Sequence, residues 1–243
     1  MGIVIIVQAR MNSTRLPGKV MKHVLGKPLL FYLVERLRRV KKVQKLVIAT
    51  TKSREDWSIV DFCRRHRISC FCGDEKNVLS RYYEAAQAFS ASAVVRITAD
   101  CPLMDPSIID RVVSVYFQNG QYDYVSNTCN RTYPRGMDVE IFSWETLNET
   151  FKRALTKSEK EHVTAYMYQN PQKFRLGDVV LKEDLSSMRW TVDTSEDFSF
   201  VRKVIESLYP CKKYFTMNDI LELLKKRPEL KKLNIHVKQK LLG

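Results

Sequence analysis

Ile3-Val4-Ile5-Ile6-Val7-Gln8-Ala9-Arg10-Met11-Asn12-Ser13-Thr14-Arg15-Leu16-Pro17-Gly18-Lys19 joins two chemistries in one short stretch. The first five residues are aliphatic and β-branched, which fits a parallel strand buried on both faces. The polar loop that follows carries three cations, Arg10, Arg15 and Lys19, with two hydroxyls, Ser13 and Thr14, and Gly18. Backbone N–H groups exposed at such a strand end cradle phosphate oxygens. Arginine offers phosphate a planar fork and lysine a point charge. Three cations suit a triphosphate. The pattern G-x-x-x-x-G-K-[ST] is absent, so the loop is not a Walker A motif. The bland reading, a solvated basic loop, is weakened by its place directly after a buried strand.

Outward from this stretch, strand and helix patterns alternate. Pro28 opens a helix with Leu29, Leu30, Leu33, Val34, Leu37 and Val40 at helical spacing. Lys45–Ala49, Ile68–Phe71 and Ala93–Ile97 read as strands. Residues 54–66, 76–89 and 106–118 read as helices. The alternation predicts an α/β fold of right-handed βαβ units around a mostly parallel sheet. Ligands bind such sheets at the carboxyl ends of the strands, which directs attention to the loops after Val7 and Ile97.

The second half is more mixed. Tyr122–Asn127, Met137–Phe142, Phe174–Leu181 and Met188–Val192 read as strands. Ser143–Leu155 reads as a helix. Ser158-Glu-Lys-Glu161 reads as a capping box that starts another. Thr194 starts a helix running to about Leu208, and Thr216 caps a last one ending near Pro228. The division expected is a domain over 1–208 and a basic helical extension over 209–243, packed on the same domain.

At 243 residues and 44% hydrophobic, the chain suffices for one globular core and is not disordered. No apolar run approaches the roughly 20 residues that span a bilayer, and no signal peptide is visible, so a cytoplasmic protein without a membrane partner is expected. Gly2 fails the myristoylation pattern because Ile6 stands where Ser or Thr is required. Cys63, Cys70, Cys72, Cys101, Cys129 and Cys211 are scattered and read as free buried thiols, not a zinc site. The net charge of +14 first suggests nucleic acid. However, residues 201–243 hold eleven Lys or Arg against four acids, so half of the excess sits in the last 43 residues. The bland reading of Lys225-Lys-Arg-Pro-Glu-Leu-Lys-Lys232 is a solvated face, since Ile220, Leu221, Leu223 and Leu224 supply an apolar side.

Two lone acids stand at strand ends. Asp100, in Arg96-Ile-Thr-Ala-Asp-Cys-Pro102, lies just past the fourth strand of the first half. Asp193, in Arg189-Trp-Thr-Val-Asp193, lies between a strand and a helix. Each alone reads equally well as an acid favoured by a helix N-terminus. Together they can converge on one Mg²⁺, an oxygen-seeking ion that keeps several waters.

The runs QARMNSTRLPGK, RITADCP, YPRGMDVEIF, SEKEHVT and MRWTVDTSEDF resemble the cytidylyltransferase family. That family includes spore-coat SpsF-like proteins, acylneuraminate cytidylyltransferases and the synthetases that activate 3-deoxy-manno-octulosonic acid with CMP. The likeness covers residues 3 to about 208 and is strongest to the SpsF-like branch. It implies a Rossmann-like three-layer αβα fold of the nucleotide-diphospho-sugar transferase type. It implies that CTP lies against Gln8, Ala9, Arg10, Ser13, Arg15, Lys19 and Arg81, with Arg10 and Lys19 neutralising charge on the reacting phosphates. It implies Asp100 and Asp193 as ligands of Mg²⁺, and Arg135, Asp138, Glu140 and His162 around the sugar. A structural role for His162 competes with that reading. Relatives suggest a homodimer, with Phe142, Trp144 and the 130s loop as interface candidates. Two departures stand out. Ala99 replaces the usual glycine before the metal-binding Asp, which is tolerable only without a positive φ. Ser80 stands where the branch often has Asp.

The expected reaction is in-line attack of a sugar hydroxyl on the α-phosphorus of CTP, with pyrophosphate leaving and positioning dominating the rate. Two other readings compete. A nucleotide-sugar-dependent glycosyltransferase would carry D-x-D, but Asp100-Cys-Pro lacks the second acid. A nucleic-acid or anionic-surface binder would rest on the C-terminal charge and be strongly salt-dependent.

Overall fold

The run Ile3–Val7 is the centre of the molecule. In the computed structural model, which describes residues 2–120 and 122–239, it forms β1 (Gly2–Gln8), and Ile5, Ile6 and Val7 expose no surface. Burying each such side chain contributes about 1.5–3 kcal/mol. A two-residue hairpin follows, β2 (His23–Val24) and β3 (Lys27–Pro28), then α1 (Leu29–Leu37), β4 (Lys45–Thr51), α2 (Trp57–Arg65), β5 (Ser69–Gly73), α3 (Val78–Ala88), β6 (Ala91–Thr98) and α4 (Pro106–Phe117). The second half comprises β7 (Tyr124–Ser126), β8 (Glu140–Ser143), α5 (Trp144–Arg153), α6 (Lys157–His162), α7 (Ala165–Tyr168), β9 (Leu176–Asp178), α8 (Ser195–Leu208) and α9 (Met217–Lys226).

The sheet order is β5-β4-β1-β6-β8-β7-β9. Strands β5, β4, β1 and β6 are mutually parallel, β8 runs antiparallel to β6 and β7, and β9 returns parallel to β7. Alternate strand residues feed two cores. Ile5, Val7, Ile48 and Val95 pack with α1, α2, α4, α8 and α9, whereas Val4, Ile6, Val47 and Val94 pack with α3, α5 and α7. These are the three layers expected. Phe215, Ile220, Leu224 and Leu230 of the C-terminal segment belong to the first core. Among the described residues, no helix is long and apolar enough to cross a membrane.

Because β4 and β6 flank β1 on opposite sides, the strand order reverses there, and Gln8 pairs with Thr98 at the carboxyl ends. A crevice opens at such a switch point.

Several elements differ from expectation, each for a local reason. The 54–66 helix is split into a 3₁₀ turn, Arg54–Asp56, and α2. The hairpin at 23–28 escaped notice because its turn is Leu25-Gly26; both have positive φ, 46° and 74°, as a tight hairpin turn demands. The strand expected over Met137–Phe142 begins only at Glu140. Before that, the buried Asn127 side chain replaces the ladder, donating to Met137 O (2.7 Å) and accepting from Val139 N (2.8 Å). Residues 188–192 form one bridge, between Arg189 and Arg135, and then switch partners to Asp100, so no strand forms. The capping box starts at Thr156 with Glu159, two residues before the one expected, because Thr156-Lys-Ser-Glu159 satisfies the same rule. Of the six thiols, all free, Cys129 and Cys211 are exposed and not buried.

Candidate active site

The cationic loop is built on two anchors. Gly18 takes φ +68°, donates its N–H to Met11 O (2.8 Å) and starts the 3₁₀ turn Lys19–Met21, whose Val20 is buried. At the other end, Met11 N donates to Asp56 Oδ1 (2.6 Å). The buried Asp56 also accepts from Thr50 Oγ1 (3.1 Å), Thr51 N (3.1 Å) and Thr51 Oγ1 (2.5 Å). The loop is thus tied to the end of β4 by one carboxylate.

These anchors aim Lys19 at the two lone acids. Its Nζ lies 2.8 Å from Asp100 Oδ2 and 2.8 Å from Asp193 Oδ1. Asp100 follows β6, and Thr98 Oγ1 donates to its Oδ1 (2.5 Å). Asp193 Oδ2 takes Arg189 Nη2 (2.6 Å) and Arg15 Nη2 (3.0 Å). The segments carrying the acids are stitched by Val192 N to Asp100 O (2.8 Å). Ala99 is absent from the positive-φ residues, so the departure from glycine there carries no backbone strain. Burial pulls Lys19 down, but the charges of Asp100 and Asp193 outweigh it and raise its pKa above the ordinary lysine value. Burial likewise pushes Asp100 up, yet Lys19 and the hydroxyl of Thr98 hold it at about 2. Both groups are therefore ionised at neutral pH.

The donor set is all oxygen, and one cation, the ammonium, already bridges both carboxylates, so a hard divalent ion fits this place. Among the described residues no cluster of three or more His, Cys, Asp or Glu could hold a metal. Such an ion would need phosphate oxygens and water to complete its shell, which is the habit of Mg²⁺.

At the same carboxyl end of β1 lies a cavity of about 160 Å³ lined by Gln8, Ala9, Arg10, Val78, Arg81, Arg96, Glu161 and His162. Arg81 is buried, donates Nη1 to Asp74 O (2.9 Å), and is lowered in pKa by burial and by Arg10. Arg96 donates to Gln8 Oε1 (3.1 Å) and pairs with Glu140. Nε of both Arg81 and Arg96 is buried without a partner among the described residues. His162 reaches the cavity wall from a strained turn: Val163, β-branched and buried, has φ 57° and ψ −59°. A larger open depression of about 510 Å³, at Ile3, Val113 and Phe117, lies at the opposite end of β1 and carries no acid.

The residues expected around a sugar divide. Asp138 accepts both arms of Arg131 (2.6 and 2.9 Å). Arg135 is half-buried, and its backbone is clamped between Met188 O (2.9 Å) and Trp190 N (2.7 Å). The turn needs Gly136, at φ +102°, where a Cβ would stand 2.6 Å from the Trp190 carbonyl carbon. Glu140 does not face the crevice. It is buried and committed to Arg96, Tyr124 Oη (2.6 Å) and Thr164 Oγ1 (2.6 Å). Arg10 is exposed at the mouth, and Ser13 accepts a long bond from Leu16 N (3.4 Å). Ser80 Oγ is taken by Glu84 (2.5 Å). Phe142 is fully buried and cannot serve an interface.

A family model for cytidylyltransferases matches residues 4–242. The chain belongs to the cytidylyltransferase family. It is accordingly an enzyme of the nucleotidyltransferase class. The spore coat polysaccharide biosynthesis protein SpsF of Bacillus subtilis is 31% identical over 93% of this chain and 95% of its own. A 3-deoxy-manno-octulosonate cytidylyltransferase of Geobacter sulfurreducens is 31% identical over 49% of this chain and 47% of its own. A solved cytidylyltransferase from Leptospira borgpetersenii is 32% identical, covers all of both chains and superposes with a TM-score of 0.91.

Sequence reading missed Asp56, Arg96, Arg189 and Asp197 of this cytidylyltransferase. Arg189 is buried and braces Asp193 and Asp197. Its signal was present: an Arg four residues before one Asp and eight before another, with a helix cap between.

Proposed function

We propose that the enzyme joins CMP from CTP to a sugar acid and releases pyrophosphate, using Mg²⁺. The observation that carries this is the Lys19 ammonium bridging Asp100 and Asp193, at the sheet end that also bears an arginine-lined cavity. Bound there, Mg²⁺ would supply charge neutralisation at the phosphates, held by Asp100 and Asp193. The chain's own residues do the rest. Arg10, Arg15 and Lys19 gather the triphosphate, the Lys19 ammonium neutralising phosphate charge. Gln8, Ala9, Ser13 and Arg81 frame the nucleotide. The acceptor hydroxyl oxygen forms a bond to the α-phosphorus and releases its proton to water, while the α–β bridge bond breaks and pyrophosphate leaves with the electron pair. Preorganised charge of this kind is worth several kcal/mol in a low-dielectric site.

A carboxylate on the acceptor needs a cation. Arg131 is engaged with Asp138, whereas the Arg135 guanidinium makes no ion pair among the described residues. Arg135, with Asp138 and His162, is therefore assigned to the sugar, and Glu140 to holding Arg96 and Thr164 behind it. The SpsF likeness supports a role in surface polysaccharide synthesis, and the proposal places the enzyme in the cytoplasm as a homodimer. Pyrophosphate release tests the assignment, with each nucleoside triphosphate against a panel of sugar acids and Mg²⁺. Release that requires CTP and one sugar acid supports it. Equal release with every nucleotide, or none with CTP alongside no CTP binding, rejects it.

A further inference from the structure

Asn234 lies beyond the 3₁₀ helix Pro228–Leu233 and is 4% exposed. Its amide donates to Arg189 O (2.8 Å) and to Asp197 Oδ1 (2.9 Å). Asp197 is fully buried and accepts Arg189 Nε (2.9 Å) and Nη2 (3.1 Å), with the backbone N–H groups of Asp193 (3.0 Å) and Thr194 (3.1 Å). The same Nη2 reaches Asp193 Oδ2, and the remaining arm, Nη1, donates to Gln239 Oε1. The C-terminal segment therefore touches Arg189 at two places, its carbonyl and its Nη1, and touches its partner Asp197 as well. Leu230, buried in the core, pins the segment on this side.

A buried amide is costly unless its bonds are made, and an aliphatic residue would serve packing alone equally well here. What the amide does is restrict Arg189 and Asp197: the Arg189 fork holds the carboxylate of Asp193, and Asp197 holds its backbone N–H. We propose that Asn234, assisted by Gln239, is a positioning residue for the cation site: the C-terminal segment holds Asp193 in register through Arg189 and Asp197. The proposal rests on the reading of Asp193 as a cation ligand. It gives residues 228–239 a task beyond the basic charge that distinguishes this end of the chain.

The test uses the full chain and Mn²⁺ as probe, with free Mn²⁺ followed by electron paramagnetic resonance in saturating CTP without acceptor. Asn234→Ala is expected to weaken Mn²⁺ binding roughly 10-fold, the lower end for partners that orient a metal ligand. CTP affinity in EDTA should stay within about 2-fold, the ordinary scatter for a residue away from the ligand. Gln239→Ala removes one exposed partner, should fold as the wild type does, and should weaken Mn²⁺ binding about 3-fold. Phe151→Ala removes a ring stacked on Tyr83 on the other face of the sheet. It should lower Tm without moving Mn²⁺ affinity, which separates positioning from general destabilisation. Wild-type uptake of Mn²⁺ with both Asn234→Ala and Gln239→Ala unchanged overturns the proposal alone. Wild-type protein that takes up no Mn²⁺ with CTP overturns the cation site and the proposal with it.

Discussion

Asp56→Asn offers the sharpest test of how the nucleotide loop is held. The change is isosteric, so it leaves no cavity. One oxygen of Asp56 serves Met11 N and the other serves Thr50 and Thr51; the two backbone N–H partners, one on each oxygen, are obligate donors, and the two threonine hydroxyls can rotate. An amide must therefore present N–H to donors on one side or the other. Turning its oxygen toward Thr50 and Thr51 sacrifices only the Met11 bond, so the loop should be released. A hydrogen bond to a charged acceptor contributes about 1.5–3 kcal/mol. At roughly 2–4 °C per kcal/mol for a chain of this size, Tm should fall by about 3–12 °C. Released residues must be re-ordered when CTP binds, so affinity should fall roughly 10-fold, which is about 1.4 kcal/mol. Calorimetry reads both quantities, Tm by scanning and CTP affinity by titration. A variant with unchanged Tm and unchanged CTP affinity would refute the claim that Asp56 anchors the loop.

Other outcomes follow from the same geometry. Lys19→Met should lower kcat/KM by about 10²–10³-fold, as for removal of one preorganised charge, measured as pyrophosphate release at saturating acceptor. Gly136→Ala combines positive φ with a 2.6 Å clash against backbone; it should destabilise by about 3 kcal/mol or more, read as a lower urea midpoint. Burial pushes Glu140 up, but Arg96, Thr164 and Tyr124 outweigh it and hold it below the ordinary glutamate value. Its contribution is therefore complete above the unfolded pKa, about 4.3, and is lost as pH falls through the lower folded value. Urea midpoints measured from pH 7 downward should fall more steeply for wild type than for Glu140→Gln, which should be the less stable of the two at pH 7 because Arg96 is left unpaired.

The first half of the fold was legible because its strands are buried on both faces and its helices amphipathic. Ile3–Val7 needs no partner to be recognised as central, and strict alternation then dictates parallel order. The second half was harder. Asn127 substitutes a side chain for the ladder before Glu140, and residues 188–192 divide their hydrogen bonds between two partners, neither of which leaves a periodic trace. The site shows the same division. Asp100 stands just past β6, Lys19 in the loop after β1 and Asp193 just before the cap of α8, places that the sequence pattern marks. Glu140 was expected near the sugar from the family resemblance; it stands two residues from Asp138, which a continuous strand would place on the same face, but the strand begins only at Glu140, and Arg96, Tyr124 and Thr164 take its carboxylate inward. Asp56 and Asp197 read as ordinary helix-start acids; what separates them is burial, visible only after folding.

The most direct test of the central claim is to follow the phosphorus. CTP labelled at the α-phosphate is incubated with Mg²⁺ and the sugar acid that supports pyrophosphate release, and the product is analysed by mass spectrometry and ³¹P NMR. The account predicts a single phosphodiester joining cytidine to the sugar, formed with one pyrophosphate and absent for Asp100→Asn. Label recovered only as free CMP, or a sugar bearing no phosphate, would contradict it.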